Sequence, residues 1–344
     1  MIEQAIAARH GAEHGEGHGA GRDAAKIAAL QAAGTLGELY AALEPLDMTP
    51  GWIEREQPIL WPEPDSPFRP MHWRYDACRT ALDAAGRLID TNLAERRNLA
   101  LRNPVPGNDF ATTKTQVSAY QMILPGEQAR THRHAPHALR VIIDSRGSYS
   151  VVDGEKHPME TGDIVLTPGW CWHGHGHDGD EPAYWFDGLD VPLTHLLEPM
   201  FLEDHPDGFA AVERVTPDSP FRFTWDAIRR RTEAARPDEQ GFFGKRVRLE
   251  ADAMPTIGIH VERLEAGQTT RKFRHTANVV YTPMMGAGVS TIGGETFDWS
   301  VGDTFAAPTW NWIEHRATED TILFSMTDEF LMRFANYYRF EDGA

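Results

Sequence analysis

Histidines concentrate in one part of this sequence. Seven of the sixteen histidines fall between His132 and His177, and five of these belong to two short motifs. The first motif reads Thr131-His132-Arg133-His134, and the second reads Trp172-His173-Gly174-His175-Gly176-His177. Neutral imidazole is the commonest protein ligand for a borderline transition metal. We therefore expect a metal site rather than a polar surface patch, because apolar, β-rich sequence surrounds both motifs.

Strand geometry explains how these side chains can meet. Alternate residues of a strand share a face, so His132 and His134 should point into one interior, as should His173 and His175. Two strands of a small barrel can then present three or four nitrogens to one ion. Arg140 follows His134 by six residues, and strand parity predicts that it faces the same interior. Its planar guanidinium suits a carboxylate, although a salt bridge at the barrel mouth is the alternative.

Composition narrows the class of protein. The chain has 344 residues, of which 41% are hydrophobic and 24% charged, as is typical of globular proteins. Its net charge of −18 argues against a nucleic-acid partner. The sequence shows neither an apolar run long enough to span a bilayer nor a secretory signal, so no membrane association is expected. The only two cysteines, Cys78 and Cys171, exclude a disulfide framework and fit a reducing cytoplasm.

An internal repeat organises the chain. The segment from Gly162 to His175 recurs between Gly302 and His315 at a constant offset of 140 residues. Each copy follows short strands that are separated by Gly, Pro and Asp, which is typical of a jelly-roll barrel. We expect a mainly β fold divided into a flexible tail (1–24), a helical region (25–100), a first barrel (101–205), a linker with a helix at 224–235 (206–250) and a second barrel (251–344). His10, His14 and His18 lie among glycines in the tail, which predicts a solvated segment rather than a metal site.

The two copies differ at the histidines. Phe273 stands at the position of His132, and Ile313 stands at the position of His173. One or two imidazoles facing apolar walls do not hold a metal. We therefore expect the second barrel to be degenerate and metal-free, with hydrocarbon in place of ligands and with His275 as a hydrogen-bonded core residue. Trp170 and Trp172 are expected in the core or the pocket wall.

These motifs carry a family resemblance. The spacing from Gly126 to His134, and from Gly162 through Pro168 to His173, resembles the cupin superfamily, without its usual glutamate near Ala138 or Leu139. Within the superfamily, the chain resembles the gentisate 1,2-dioxygenase family, which includes salicylate-, nitrosalicylate- and hydroxynaphthoate-cleaving members. Further motifs that carry the resemblance are Trp61-Pro62-Glu63-Pro64, Trp73-Arg74-Tyr75, Arg96-Arg97, Leu124-Pro125-Gly126-Glu127, Ala138-Leu139-Arg140, Asp187-Gly188-Leu189-Asp190 and Asp328-Glu329.

The resemblance implies a fold, a metal and a reaction. It implies a bicupin that assembles as a homo-oligomer, usually a tetramer, with iron(II) in the first barrel only. It implies a catabolic enzyme that inserts both atoms of dioxygen into a 2-hydroxybenzoate between the carboxylate- and hydroxyl-bearing carbons. The residues implied are His132, His134 and His173 as iron ligands, Arg96, Gln121 and Arg140 as substrate-binding residues, and His175 and Asp187 next to the ring hydroxyls.

Several alternatives remain open at this stage. Gentisate is the default substrate, but Tyr120 and Gly174 depart from the commonest gentisate pattern. These two positions make salicylate or a 5-substituted salicylate such as 5-nitrosalicylate the main alternative. His175 is either a fourth ligand or a hydrogen-bonding group. A non-catalytic metal-binding cupin, or a zinc or manganese isomerase, would keep the fold without the oxygen chemistry.

Overall fold

A computed structural model describes residues 19–54, 58–90, 93–94, 96–216 and 218–343. The chain divides into two compact units, Met1–Glu63 and Pro64–Ala344. In the first unit, helix α1 (Gly19–Ala32) precedes α2 (Leu36–Leu43) and a short 3₁₀ turn. Thr35 caps α2, since the Glu38 amide donates to Thr35 Oγ1 over 3.2 Å and the Thr35 amide donates to Glu38 Oε2 over 3.1 Å. The tail histidines lie outside the described residues.

The second unit is built from strands. Its helices are α3 (Tyr75–Leu88), α4 (Val191–Leu197), α5 (Trp225–Ala234) and α6 (Glu329–Phe334). Its strands are β1 (Met71–Trp73), β2 (Arg97–Ala100), β3 (Val117–Ile123), β4 (Gln128–His134), β5 (Ala138–Asp144), β6 (Ser148–Val152), β7 (Glu155–Met159), β8 (Ile164–Thr167), β9 (His173–His177), β10 (Ala183–Leu189), β11 (Leu202–Asp204), β12 (Arg222–Phe223), β13 (Lys245–Leu249), β14 (Gly258–Leu264), β15 (Phe273–His275), β16 (Val279–Met285), β17 (Ala287–Ile292), β18 (Glu295–Ser300), β19 (Thr304–Ala307), β20 (Ile313–Ala317), β21 (Thr321–Thr327) and β22 (Phe340–Asp342). The mainly β prediction is confirmed.

Two pairs of sheets form two barrels. The first barrel combines a sheet of order β12-β8-β5-β10-β3-β2 with one of order β11-β4-β9-β6-β7. The second combines β1-β19-β16-β21-β14-β13 with β18-β17-β20-β15-β22. Asp153 and Gly154, with φ of 45° and 76°, form a tight turn between β6 and β7. Helix α5 lies at the predicted place and is capped by Thr224, whereas the exact domain boundaries stay a prediction.

The two halves repeat one another in detail. Trp170 and Trp310 both adopt a left-handed backbone, with φ of 68° and 63°. The Arg133 guanidinium lies 4.4 Å from the Trp172 ring centroid, and the Arg274 guanidinium lies 4.7 Å from the Trp312 ring centroid. Because the Trp170 side chain is 45% exposed, a place in the core is wrong for this residue, and its place in the pocket wall stays a prediction. The Arg133 guanidinium also lies 5.8 Å from the Trp170 ring centroid, a cation–π contact at the surface.

Each half of the chain also contributes one strand to a sheet of the other barrel. Strand β1 precedes the first barrel in sequence but pairs with β19 of the second barrel. Strand β12 lies in the linker and pairs with β8 of the first barrel. One apolar cluster contains buried residues of both barrels, such as Phe186 and Phe324, so the halves share a core. None of the helices that the structure describes is both long and apolar enough to cross a bilayer.

Candidate metal centre

Three histidines converge inside the first barrel. His132 and His134 lie on β4, and His173 lies on β9 directly opposite His132. One ring nitrogen from each of the three lies within 4.8 Å of the others. The ring centroids are 4.4 Å apart for His132 and His173, and 4.7 Å apart for His134 and His173. The parity of two neighbouring strands therefore brings together the three residues that the sequence motifs suggested.

Backbone carbonyls fix the orientation of each ring. His132 Nδ1 lies 3.3 Å from the Arg130 carbonyl oxygen, His134 Nδ1 lies 2.8 Å from that of Pro136, and His173 Nδ1 lies 3.0 Å from that of Cys171. In the neutral ring that makes this bond, Nδ1 carries the proton and Nε2 keeps its lone pair. All three rings can thus offer Nε2 to a common ion, an arrangement typical of metal-binding histidines.

The site environment keeps these imidazoles uncharged. Burial lowers the pKa of His132 to about 3 and the pKa of His134 to about 4. Burial, followed by the positive charge of Arg140, lowers the pKa of His173 well below its ordinary value. Neutral imidazole is the form that binds a metal. The donor set therefore fits a divalent transition metal without a carboxylate ligand.

The opposite sheet carries the polar groups that face the histidines. Arg140 on β5 lies directly across from Asp187 on β10, and Gln121 on β3 lies across from Trp185. Gln121 Nε2 donates to Asp187 Oδ2. Arg140 Nε lies 3.5 Å from Asp187 Oδ1, and Arg140 Nη1 donates to Thr167 Oγ1 over 2.5 Å. Asp187 therefore orients both Gln121 and Arg140.

The position of Arg140 agrees with the prediction, but the reason given for it was wrong. His134 and Arg140 lie on β4 and β5, which belong to different sheets. The chain bends at Ala135 and Pro136 between the strands, so strand parity does not carry across. Arg140 faces the histidines because the two sheets close around one interior.

Several buried polar atoms of this interior have no hydrogen-bond partner among the described residues. They are Gln121 Oε1, Arg140 Nε, both ring nitrogens of His175, Trp185 Nε1 and Asp187 Oδ1. Buried polar atoms are rarely left unsatisfied in proteins except where a ligand or water completes them. Sequence reasoning missed Trp185, although it lies two residues before Asp187 on the same strand and so shares its face.

Arg96 adds a second positive charge to the site. Its charge lowers the pKa of His132, after burial, and it also acts on His134, Arg140, His175 and Asp187. The Arg140 guanidinium is itself buried, and burial lowers its pKa to about 10. Two guanidiniums thus face one carboxylate and a set of neutral imidazoles. Such an interior attracts a small anion.

His175 lies beside the three histidines but outside their group. Its ring centroid is 6.3 Å from that of His173 and 5.6 Å from that of Trp185. The group whose nitrogens converge contains His132, His134 and His173 only, among the residues the structure describes. His175 therefore suits a hydrogen-bonding role better than a fourth ligand. His137 and His177 are engaged elsewhere, since His137 Nδ1 accepts from the Gly169 amide over 2.8 Å and His177 Nε2 lies 2.6 Å from the Glu181 carbonyl oxygen.

The two positions that suggested an alternative substrate do not face this interior. The Tyr120 hydroxyl donates to the Gly302 carbonyl and contacts Thr304 Oγ1 of the second barrel. A Cβ at Gly174 would point at Thr131 Oγ1, 3.0 Å away, and at the Ala129 carbonyl. Neither position lines the histidine-bearing interior, so neither distinguishes one 2-hydroxybenzoate from another by direct contact.

In the second barrel, apolar residues occupy two of the positions that histidines hold in the first. Phe273 and Ile313 pair directly across β15 and β20, and both are buried. His275 Nδ1 lies 3.1 Å from the Ala277 carbonyl oxygen, which agrees with a hydrogen-bonded core residue. The interior is more polar than expected, because His260 and Glu262 are also buried there. The metal-free state of this barrel stays a prediction.

Comparisons with known proteins fit this geometry. The Cupin domain model matches residues 119–191. The chain is 32% identical over 330 residues to gentisate 1,2-dioxygenase 1 of Aquipseudomonas alcaligenes, covering 88% of this chain and 95% of the relative. It is 30% identical to 5-aminosalicylate 1,2-dioxygenase of Comamonas sp., covering 88% and 89%. The salicylate 1,2-dioxygenase structure from Pseudaminobacter salicylatoxidans matches with a TM-score of 0.79 and 26% identity, over 90% of this chain and 97% of that one.

The chain belongs to the gentisate 1,2-dioxygenase family. It is a bicupin and a ring-cleaving dioxygenase, an oxidoreductase that incorporates dioxygen. The alternatives of a non-catalytic cupin and of a zinc or manganese isomerase are therefore wrong. The family membership also agrees with a donor set of three neutral imidazoles in the first barrel.

Proposed function

We propose that this dioxygenase uses iron(II) to cleave a 2-hydroxybenzoate between the carboxylate- and hydroxyl-bearing carbons, with gentisate as its substrate. The observation that carries the proposal is the convergence of three histidine nitrogens within 4.8 Å, opposite the buried pair of Arg140 and Asp187. The three histidines suit a ferrous ion, and the Arg140–Asp187 pair suits an aromatic acid.

His132, His134 and His173 would hold the iron. Three neutral ligands leave the ion with its full double positive charge, which the carboxylate and phenolate of the acid balance. When bound, ferrous iron supplies open coordination positions where the acid and dioxygen lie side by side, together with the electrons that let dioxygen react with an aromatic ring. The backbone carbonyls that fix each Nδ1 keep the rings ready for this ion.

Arg140 and Arg96 are the proposed carboxylate-binding groups. The Arg140 guanidinium is almost fully buried and is held by Thr167 and Asp187, so its planar fork is oriented before the acid arrives. Gln121 keeps Oε1 unpaired while Asp187 holds its amide nitrogen. That oxygen can accept a hydrogen bond from a substrate hydroxyl.

His175 is the proposed partner of a ring hydroxyl. It is buried beside His173, and both of its ring nitrogens are without a hydrogen-bond partner among the described residues. A neutral imidazole both accepts and donates one hydrogen bond, so it can hold a hydroxyl in one orientation. Asp187 contributes indirectly, because it orients Gln121 and Arg140.

The proposal is tested by oxygen consumption with iron-loaded protein and a panel of acids. Gentisate, salicylate, 5-aminosalicylate and 5-nitrosalicylate differ only at the ring position para to the 2-hydroxyl group. We expect one dioxygen consumed per acid cleaved, with the highest kcat/KM for gentisate, because its second hydroxyl can donate to an acceptor such as Gln121 Oε1. A higher kcat/KM for 5-nitrosalicylate, whose nitro group only accepts, would favour the alternative substrate. Inertness toward all four acids would reject the proposal.

We also propose that the enzyme works in aromatic catabolism, in the cytoplasm, as a homotetramer. Both thiols are free, which is typical of a reducing compartment. The end of α4 and the segment after it expose apolar side chains that a second copy can cover; they are Leu196, Leu197, Phe201, Leu202, Phe209, Val212 and Val215. Sedimentation equilibrium measures the assembly directly, and a monomer at micromolar concentration would contradict it.

A further inference from the structure

We propose that Arg97 is a positioning residue that holds its neighbour Arg96 at the substrate site. The inference rests on the proposed role of Arg96 in binding the substrate carboxylate. Arg97 does not face the site itself: it opens β2 and pairs with Met122 of β3, whose side chain belongs to the core shared by both barrels. Gln121, one residue earlier on β3, belongs to the site and pairs with Asn98. Neighbouring residues of a strand point to opposite faces.

The Arg97 guanidinium makes three hydrogen bonds that connect separate parts of the chain. Nε donates to the Ile89 carbonyl over 3.1 Å, and Nη2 donates to the same oxygen over 2.5 Å. Nη1 donates to Glu127 Oε2 in an ion pair. The Arg97 side chain is 2% exposed and that of Glu127 is 17% exposed, so this ion pair is shielded from water. Ile89 immediately follows α3, and Arg97 begins β2. Arg97 thus bonds the end of α3 to the start of β2, next to Arg96.

Glu127 ties this connection in turn to the strand that carries the metal ligand. Glu127 Oε2 also accepts from the Leu124 amide over 2.8 Å, so the carboxylate belongs to the turn between β3 and β4. The Glu127 carbonyl accepts from the His177 amide over 3.1 Å, and the Gly126 amide donates to the His177 carbonyl over 2.9 Å. His177 ends β9, which begins with His173. A continuous set of bonds therefore links the base of Arg96 to the histidine-bearing sheet.

This arrangement sets the distance between Arg96 and the metal-binding histidines. If the backbone that carries an arginine is mobile, ordering it on binding costs free energy, and the anion binds less tightly. Loss of Arg97 should therefore weaken substrate binding through Arg96, while the metal ligands remain in place. Glu127 already neutralises the charge of Arg97, and the hydrogen bonds that the structure describes for the Arg97 side chain go to Ile89 and Glu127 rather than to the site.

The test measures the dissociation constant of gentisate for iron-loaded protein without dioxygen, so that binding is read without turnover. The variants are Arg97→Met, Arg97→Lys and Glu127→Gln, each made with Arg96 intact and with Arg96→Ala. We expect Arg97→Met to weaken binding about tenfold, the size of one charge-assisted hydrogen bond, and Arg97→Lys to recover part of that loss. In the Arg96→Ala background, Arg97→Met should change binding by less than about twofold.

Arg222→Met is the matched control. Arg222 also forms a largely buried ion pair, with Asp163 at 2.6 Å on the β8 side of the barrel, where the two side chains are 14% and 3% exposed. It should lower thermal stability to a similar extent without changing the gentisate dissociation constant. Equal losses of binding for Arg97→Met in both backgrounds would overturn the inference, as would a loss matched by Arg222→Met. An unchanged dissociation constant for Arg96→Ala would overturn it too. Gentisate binding without any oxygen uptake would instead reject the proposed function and leave the inference standing.

Discussion

At the scale of single residues, the proposed metal ligands and the proposed substrate-binding groups lie on different sheets. Three imidazoles on one sheet carry no charge, since burial lowers the pKa of each. The charges lie on the facing sheet, where Arg140 and Asp187 form a buried pair, each about 3% exposed. If these histidines hold iron as proposed, this division would let an anionic acid approach the ion without competing against a carboxylate ligand.

Asp187 should be the residue whose loss disturbs the facing sheet most. Asp187→Asn keeps an acceptor for Gln121 but leaves the buried Arg140 guanidinium without its counter-charge. We expect the free energy of unfolding to fall by about 3 kcal/mol, with at least about a tenfold loss in kcat/KM because Arg140 is no longer oriented. Urea unfolding and steady-state kinetics measure both. Asp178→Asn is the control, because Asp178 is 64% exposed and forms a surface ion pair with Lys156; a comparable loss in that variant would contradict the account.

At the scale of elements, short strands hold the barrels together. Asp303 precedes β19 and accepts from the Tyr75 amide over 2.8 Å, from the Ser300 amide over 3.1 Å and from His72 Nε2 over 3.1 Å. In the first barrel, Asp163 precedes β8 and accepts from the Trp225 amide over 2.9 Å and from Arg222. Each aspartate thus fastens the strand and helix that arrive from the other half.

Asp303 gives this element a pH dependence. Burial raises the pKa of Asp303, but the bonds from His72, Tyr75 and Ser300 lower it more, so it lies below its ordinary 3.8. A carboxyl with a depressed pKa stabilises the fold above its unfolded pKa and loses that contribution as the pH falls through the folded pKa. Asp303→Asn should therefore cost about 2 kcal/mol at pH 7, and the difference from wild type should shrink below pH 3.8.

Urea unfolding at pH 7, 5 and 3 measures that difference. A change on the order of 1 kcal/mol in the free energy of unfolding is large enough to detect. Asp298→Asn serves as control, because Asp298 is exposed on β18 and its loss should leave stability unchanged at every pH. A difference between Asp303→Asn and wild type that grows as the pH falls would have the wrong sign and would refute the assignment.

The elements also show what the sequence can and cannot predict. Strands such as β3, β5, β6 and β8, and helix α5, follow from local patterns of apolar residues, turns and caps. The His-x-His spacing predicted that His132 and His134 face one interior, because that depends only on strand parity; their role as ligands stays a prediction. The facing position of Arg140 depends on how two sheets close, and the exchange of β1 and β12 depends on contacts far apart in sequence. Local patterns do not contain either kind of information.

At the scale of the whole molecule, the two barrels share one core, and the three converging histidines lie in the first of them. Tyr120 of the first barrel donates to Gly302 and contacts Thr304 of the second, within the shared core. The second copy has Phe273 and Ile313 where the first has His132 and His173, on the same scaffold. The second barrel packs against the first through this core.

Tyr120 tests that coupling and also the choice of substrate. Tyr120→Phe removes the hydroxyl from the shared core, so we expect a loss of about 1–2 kcal/mol in the free energy of unfolding. Because the side chain points away from the site, the ratio of kcat/KM for gentisate to that for 5-nitrosalicylate should stay unchanged. Urea unfolding and the two kinetic assays check these outcomes, and a several-fold change in the ratio would place Tyr120 in the substrate pocket after all.

The most direct measurement compares His134→Ala with His275→Ala, its counterpart in the second barrel, for bound iron and oxygen uptake with gentisate. The intact protein should bind one iron per chain at the three-histidine group. His134→Ala should lose both the iron and the oxygen uptake, whereas His275→Ala should keep one iron per chain and turn over. Retention of iron and activity by His134→Ala, or loss of the iron in His275→Ala without loss of folding, would contradict the assignment of catalysis to the first barrel.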